Sequence, residues 1–99
     1  MNSLKILRIG GNKITDVQPL AGLAKLESLD AGANQISDAT PLGGLEGLQM
    51  LNLGNNQVKD INIFSNLGSL QLLAIEGNPV EAGAIEVLRK TLTKCQIIF

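Results

Sequence analysis

Three carboxylates stand at equal intervals in this chain. Asp16, Asp38 and Asp60 are 22 residues apart. A column of acids invites a catalytic or a calcium-binding reading. Calcium requires several oxygen ligands converging on one point, and one carboxylate per 22-residue step spreads the charge along a line instead. Each Asp precedes a short segment such as Val17-Gln18-Pro19-Leu20. There an Asp caps a short helical turn and Pro occupies its first residues. Cys95 is the single cysteine and the chain has no histidine, so a thiolate would lack its usual basic partner. Cys95 is expected to be a buried, aliphatic-like residue. Gly10-Gly11-Asn12 and Gly43-Gly44-Leu45 lack the basic residue and spacing of a phosphate-binding loop. The expectation is therefore no catalytic residue, no metal ligand, no cofactor and no enzymatic activity.

The elements that position these residues follow from composition and period. The 99 residues suit a single domain, 1–99, near the small end of what folds alone. Hydrophobic residues make up 44% and aromatic residues 2%, so the core must be aliphatic. Net charge is −1 with acids and bases interspersed. The absence of a basic stripe and of aromatic stacking platforms argues against nucleic acid as a partner. No apolar run reaches membrane-spanning length, so no membrane insertion is expected. The opening Met1-Asn2-Ser3-Leu4-Lys5 is not a signal peptide. A cytoplasmic location is expected if the chain is complete, and a mature piece without its leader is the alternative.

The period itself is plain. Leu4, Leu26, Leu48 and Leu70 are spaced by 22 residues, and so are Leu7, Leu29, Leu51 and Leu73. Asn12, Asn34, Asn56 and Asn78 keep the same interval, each followed two positions later by Ile14, Ile36, Val58 or Val80. Leu23, Leu45 and Leu67 form a further column. The units open as L-x-x-L-x-L-x-x-N, with Ala31 in place of the third apolar residue in the second unit. This pattern resembles the leucine-rich-repeat superfamily. Tails such as Ile36-Ser37-Asp38-Ala39-Thr40-Pro41-Leu42 resemble the 22-residue class typified by bacterial internalins. The resemblance implies an α/β fold: a right-handed curved solenoid with about five parallel strands on its concave face. It implies protein binding as the function.

Each column has a physical reason. Alternate residues of a strand point to opposite faces, so Leu7 and Ile9 face inward while Ile6 and Arg8 face outward. One unit cannot bury its own apolar face, and stacking neighbours creates the core. Buried turns leave backbone donors and acceptors in need of partners, and an Asn amide offers both kinds of group. The Asn column is therefore expected to be structural. Repeats are placed at about 4–25, 26–47, 48–69 and 70–80, with a C-terminal cap over 81–99.

In that cap, Ile85, Leu88, Leu92 and Cys95 recur at steps of three, four and three, which predicts an amphipathic helix. Lys90 and Lys94 near its end favour the helix dipole. Continuing the 22-residue count places Leu92 under Leu70, Cys95 under Leu73 and Ile97 under Ile75. Gln96-Ile97-Ile98-Phe99 is then a fifth strand. No comparable cap precedes Leu4, so the first coil is expected to expose apolar edges. A longer array, a minimal protein tolerating exposure, or a homodimer through the N-terminal end would each accommodate this.

The resemblance implies a partner on the concave face. Its candidate columns are Lys5, Glu27, Gln49 and Gln71, then Ile6, Ser28, Met50 and Leu72, then Arg8, Asp30, Asn52 and Ala74. Gly10, Gly32, Gly54 and Glu76 form the last. Ile6, Met50 and Leu72 are apolar at outward positions, and methionine adapts to varied partners. Lys5 with Glu27, and Arg8 with Asp30, are expected to pair across strands. The glycine column suits a protein or peptide surface better than a deep small-molecule pocket. The leading expectation is a non-catalytic protein-interaction module. The alternatives are a recognition fragment of a larger effector or enzyme, and a structural repeat fragment without a dedicated partner.

Overall fold

The computed structural model describes residues 3–99. Its strands are β1 (Ile6–Arg8), β2 (Ser28–Asp30), β3 (Met50–Asn52), β4 (Leu72–Ala74) and β5 (Gln96–Ile98). They form one parallel sheet in the order β1-β2-β3-β4-β5. The chain returns from each of the first three strands through a short 3₁₀ turn: Gln18–Leu20, Thr40–Gly44 or Asn62–Asn66. The fourth return carries helix α1 (Ala82–Thr91). The 3₁₀ turns stack on one another, and α1 packs on the last of them. This is the expected α/β solenoid, with strands on one side and short helical turns on the other.

The core lies between those two layers. Leu26, Leu48, Leu29, Leu51, Leu73, Leu45 and Leu67 are all buried, with Phe64 the largest fully buried side chain. Leu4, Leu7, Ile9, Ile14 and Leu20 of the first coil are only half-buried, although their counterparts Leu26, Leu29, Ala31, Ile36 and Leu42 are completely covered. Apolar residues at equivalent positions are thus buried to different degrees according to whether a coil stacks on both sides.

The cap helix forms over part of the predicted spacing: it holds Ile85 and Leu88 and ends at Thr91, so Leu92, Lys94 and Cys95 follow it. Leu88 is buried, Ala84 and Ile85 pack against the core, and Arg89 and Lys90 occupy the last turn, where positive charge suits the helix dipole. The terminal register differs from the 22-residue count. β1 to β4 pair residues 22 apart, as in Met50 with Leu72, but β4 pairs Leu72 with Gln96, 24 positions on. Ile97, not Cys95, therefore lies beside Leu73, and Ile98 lies beside Ala74. An α-helix advances about 1.5 Å per residue, less than a 3₁₀ turn or extended chain, so a coil built on one needs more residues to return to the sheet. Because the shift is two, the strand keeps its inward and outward faces.

Cys95 consequently sits in the turn before β5. Its N–H donates to the Leu92 carbonyl at 3.1 Å, as Leu70 N–H does to Leu67 at the same distance. Leu92 thus occupies the place of Leu67, not of Leu70. Cys95 is half-buried rather than enclosed, and burial pushes its thiol pKa up, which disfavours the reactive thiolate.

Candidate protein-binding face

The strand face is held in place by the turns that follow each strand. Asn56 Nδ2 donates to the carbonyls of Leu53, Gly54 and, one coil back, Ala31, at 3.0, 3.3 and 3.1 Å. Its Oδ1 accepts the Ile36 N–H at 3.0 Å. Asn34 serves the first coil likewise, accepting the N–H groups of Asn12 and Ile14 and donating back to Ile9. Asn78 does so for the third coil, accepting from Val58 and donating to Leu53. The column is structural, as its chemistry implies, and each member serves the coil before its own. Asn12 donates only to Ile9 and Gly10 of its own turn among the described residues.

The residue before each of these asparagines was not singled out by sequence reasoning. Gly11, Ala33, Asn55 and Gly77 all have positive φ, at 75, 56, 58 and 73°. Glycine and asparagine adopt this conformation readily, whereas an alanine there costs roughly 1–2 kcal/mol. The signal was present in Gly11, Asn55 and Gly77 at the repeat spacing.

The three carboxylates have a local role. Asp16, Asp38 and Asp60 each accept the N–H two residues on, from Gln18, Thr40 and Asn62, at 2.9 to 3.0 Å. This is an Asx turn that starts the 3₁₀ segment. The N-cap itself is the next residue, Val17, Ala39 or Ile61, so the Asp stands one position ahead of the expected cap. Pro19 and Pro41 occupy the early positions of their turns, as expected. Hydrogen bonds from the Thr40 side chain and N–H hold the Asp38 carboxyl below its ordinary pKa.

On the strand face, Ile6, Ser28, Met50 and Leu72 are consecutive cross-strand neighbours, as are Arg8, Asp30, Asn52 and Ala74. Lys5, Glu27, Gln49 and Gln71 are exposed at the strand entrances. Ile6 is 57% exposed, and Met50 and Leu72 are half-buried. Ala74, expected in an exposed column, is only 8% exposed, and Gly54 is buried. The side chain of Glu76 lies across Gly54. The register change at β5 moves Ile98, which the 22-residue count sets beside Glu76, to a place beside Ala74 on the same face.

The anticipated cross-strand ion pairs are not formed. Among the described residues the ion pair present is Arg89 with Glu86 on α1, at 3.3 Å. Asp30 Oδ1 instead accepts the Gly32 N–H at 3.2 Å and Asn52 Nδ2 at 3.1 Å.

The repeat model described as "Leucine Rich repeats (2 copies)" matches residues 2–44, and "Leucine rich repeat" matches residues 37–80. An internalin, inlF, from Listeria monocytogenes superposes with a TM-score of 0.92 at 41% identity, covering 99% of this chain. The chain is an internalin-like leucine-rich-repeat protein. Internalin C2 of the same organism matches at TM-score 0.89 and 38% identity over 97% of the chain. A leucine-rich-repeat protein of Leptospira interrogans matches at TM-score 0.86 and 36% identity over 97%. The comparison with curated proteins returned no match. The internalin-like chain spans 28%, 41% and 25% of inlF, internalin C2 and the Leptospira protein respectively. Internalin-like repeats of this kind are, in general, protein-interaction modules.

Proposed function

We propose that this chain binds a protein partner on its concave strand face and catalyses no reaction there. The observation that supports this most is the outward row Ile6, Ser28, Met50 and Leu72, which presents apolar side chains away from the core. A patch of apolar groups rimmed by polar residues is a common mark of an interface. Gln49 and Gln71 beside Met50 and Leu72, and Asn52 on the other side, provide such a rim. Of the strands beneath, β2, β3 and β4 are fixed on both edges by backbone pairing, so that part of the face is preorganised and little ordering cost attends binding there.

The test is affinity capture from an extract of the source organism. The natural chain is compared with a folded variant carrying Ile6→Lys, Met50→Lys and Leu72→Lys, and with a control carrying Lys59→Glu and Asn62→Lys on the opposite side. A partner held by the natural chain and the control but lost by the strand-face variant is the expected result. A partner held equally by all three overturns the assignment to this face.

A further inference from the structure

Resting on that reading, we propose that the partner inserts a basic side chain, arginine foremost, into the trough beside the apolar row. The trough measures about 300 Å³ and runs along the C-terminal ends of β1 to β4. Its floor is the glycine column of Gly10, Gly32 and Gly54. Across that floor lie Asp30, Asn52 and Glu76, and the lining contains no lysine or arginine.

The three polar side chains form a row by two different routes. In the second coil the Asp30 carboxylate leans back over Gly10, where a Cβ would stand 3.4 Å from its Oδ1. In the third coil the Asn52 amide leans over Gly32, with Nδ2 3.2 Å from such a Cβ. The fourth coil has Ala74 at the matching position, too short to reach. There the glycine is replaced by Glu76, whose carboxylate covers Gly54 so closely that a Cβ on Gly54 would collide with it. The fourth coil thus restores by another residue the acceptor that Ala74 removes.

The result is a line of acceptors with a carboxylate at each end. Asn52 Nδ2 is spent on Asp30, and the Asn52 Oδ1 accepts the Gly54 N–H at 2.9 Å, which orients the amide. Glu76 makes no ion pair among the described residues, and neither does Arg8 with Asp30, which it faces across β1 and β2. A guanidinium carries five donors in a planar fork, so it pairs with one carboxylate bidentately and has donors left for the neighbouring amide oxygen, which suits this row better than an ammonium point charge does. Met50 on β3 and Leu72 on β4 lie on the same strand face, two residues before Asn52 and Ala74. The occupant is therefore a protein segment with a basic residue close to an aliphatic or aromatic one.

The test selects displayed random peptides of twelve residues on the whole chain, on D30N/E76Q and on M50K/L72K. Both acid replacements are nearly isosteric, Asn at position 30 can still accept from Gly32 and Asn52, and thermal melts confirm that each variant is folded. The natural chain is expected to enrich peptides with arginine or lysine near an apolar residue. Those peptides should bind D30N/E76Q at least about tenfold more weakly, the loss expected when charge-assisted hydrogen bonds become neutral. Peptides without basic enrichment, or peptides held equally by D30N/E76Q, overturn the inference. If such peptides are nevertheless lost by M50K/L72K, the strand-face function stands without it. If no peptide is enriched, or those enriched ignore both variants, the inference and the strand-face function both fail.

Discussion

The first and third coils carry nearly the same sequence pattern and live in different physical worlds. Leu51 is completely buried between Leu29 and Leu73, whereas Leu7 has Leu29 on one side and is half-exposed. The Asn56 side chain bonds to its own turn and to the coil before it, whereas the Asn12 side chain bonds only within its own turn among the described residues. The difference teaches that a repeat residue has no fixed worth. Its contribution is set by its neighbours in the stack, as expected of a quasi-one-dimensional solenoid.

The comparison is tested most severely by removing core volume. Leu51→Ala should cost about 3–5 kcal/mol in urea unfolding, because the methyl groups lose contacts on all sides and leave a cavity. Leu7→Ala should cost about 1 kcal/mol, since much of that side chain already meets water. Equal losses at the two positions would refute the neighbour-dependence.

Polar truncation is the next largest effect. Asn56→Ala leaves the Ile36 N–H without its acceptor in a buried turn, while Asn34 and Asn78 still donate to the Ala31 and Leu53 carbonyls, and about 1–3 kcal/mol should be lost. Asn12→Ala should cost under about 1 kcal/mol, because water replaces its bonds. The same denaturation series reads both.

The left-handed positions sharpen the comparison with opposite signs. Gly11→Ala adds a methyl group into open space but at φ 75°, and should destabilise by about 1 kcal/mol through backbone strain alone. Ala33→Gly relieves that strain at φ 56° and should stabilise by about 0.5 kcal/mol after the extra freedom given to the unfolded chain. Differential melting of the two variants checks both signs.

The smallest effect concerns acid. Because hydrogen bonds from Thr40 depress the folded-state pKa of Asp38, the carboxylate favours folding above its unfolded-state pKa. That contribution is lost as pH falls through the depressed folded value. Asp38→Asn should therefore flatten the acid limb of stability against pH slightly, measured from pH 7 down to pH 2, and leave the slope near neutrality unchanged.

Much of the fold was legible because every coil repeats the same demands. The inward columns of Leu29, Leu51 and Leu73, the asparagine column and the cap helix all announce themselves by period. The register of β5 did not, because it depends on the rise of a helix and not on the repeat count. Ala33 concealed the left-handed column, since alanine carries no conformational signature. On the candidate face, the row of Ile6, Met50 and Leu72 could be written from alternation alone. The trough could not. Its acceptor row is made by Asp30 and Asn52 in one column and Glu76 in another, and only side chains leaning across glycine bring them into line.

The central claim, that the strand face carries the partner, is tested most directly by placing a photoreactive amino acid at Met50 in one variant and at Asn62 in another. Each is irradiated in an extract of the source organism, and the crosslinked species are compared. A partner band formed from position 50 and absent from position 62 is the predicted result. A band formed from position 62, with none from position 50, would contradict the account and move the interface to the helical side of the solenoid.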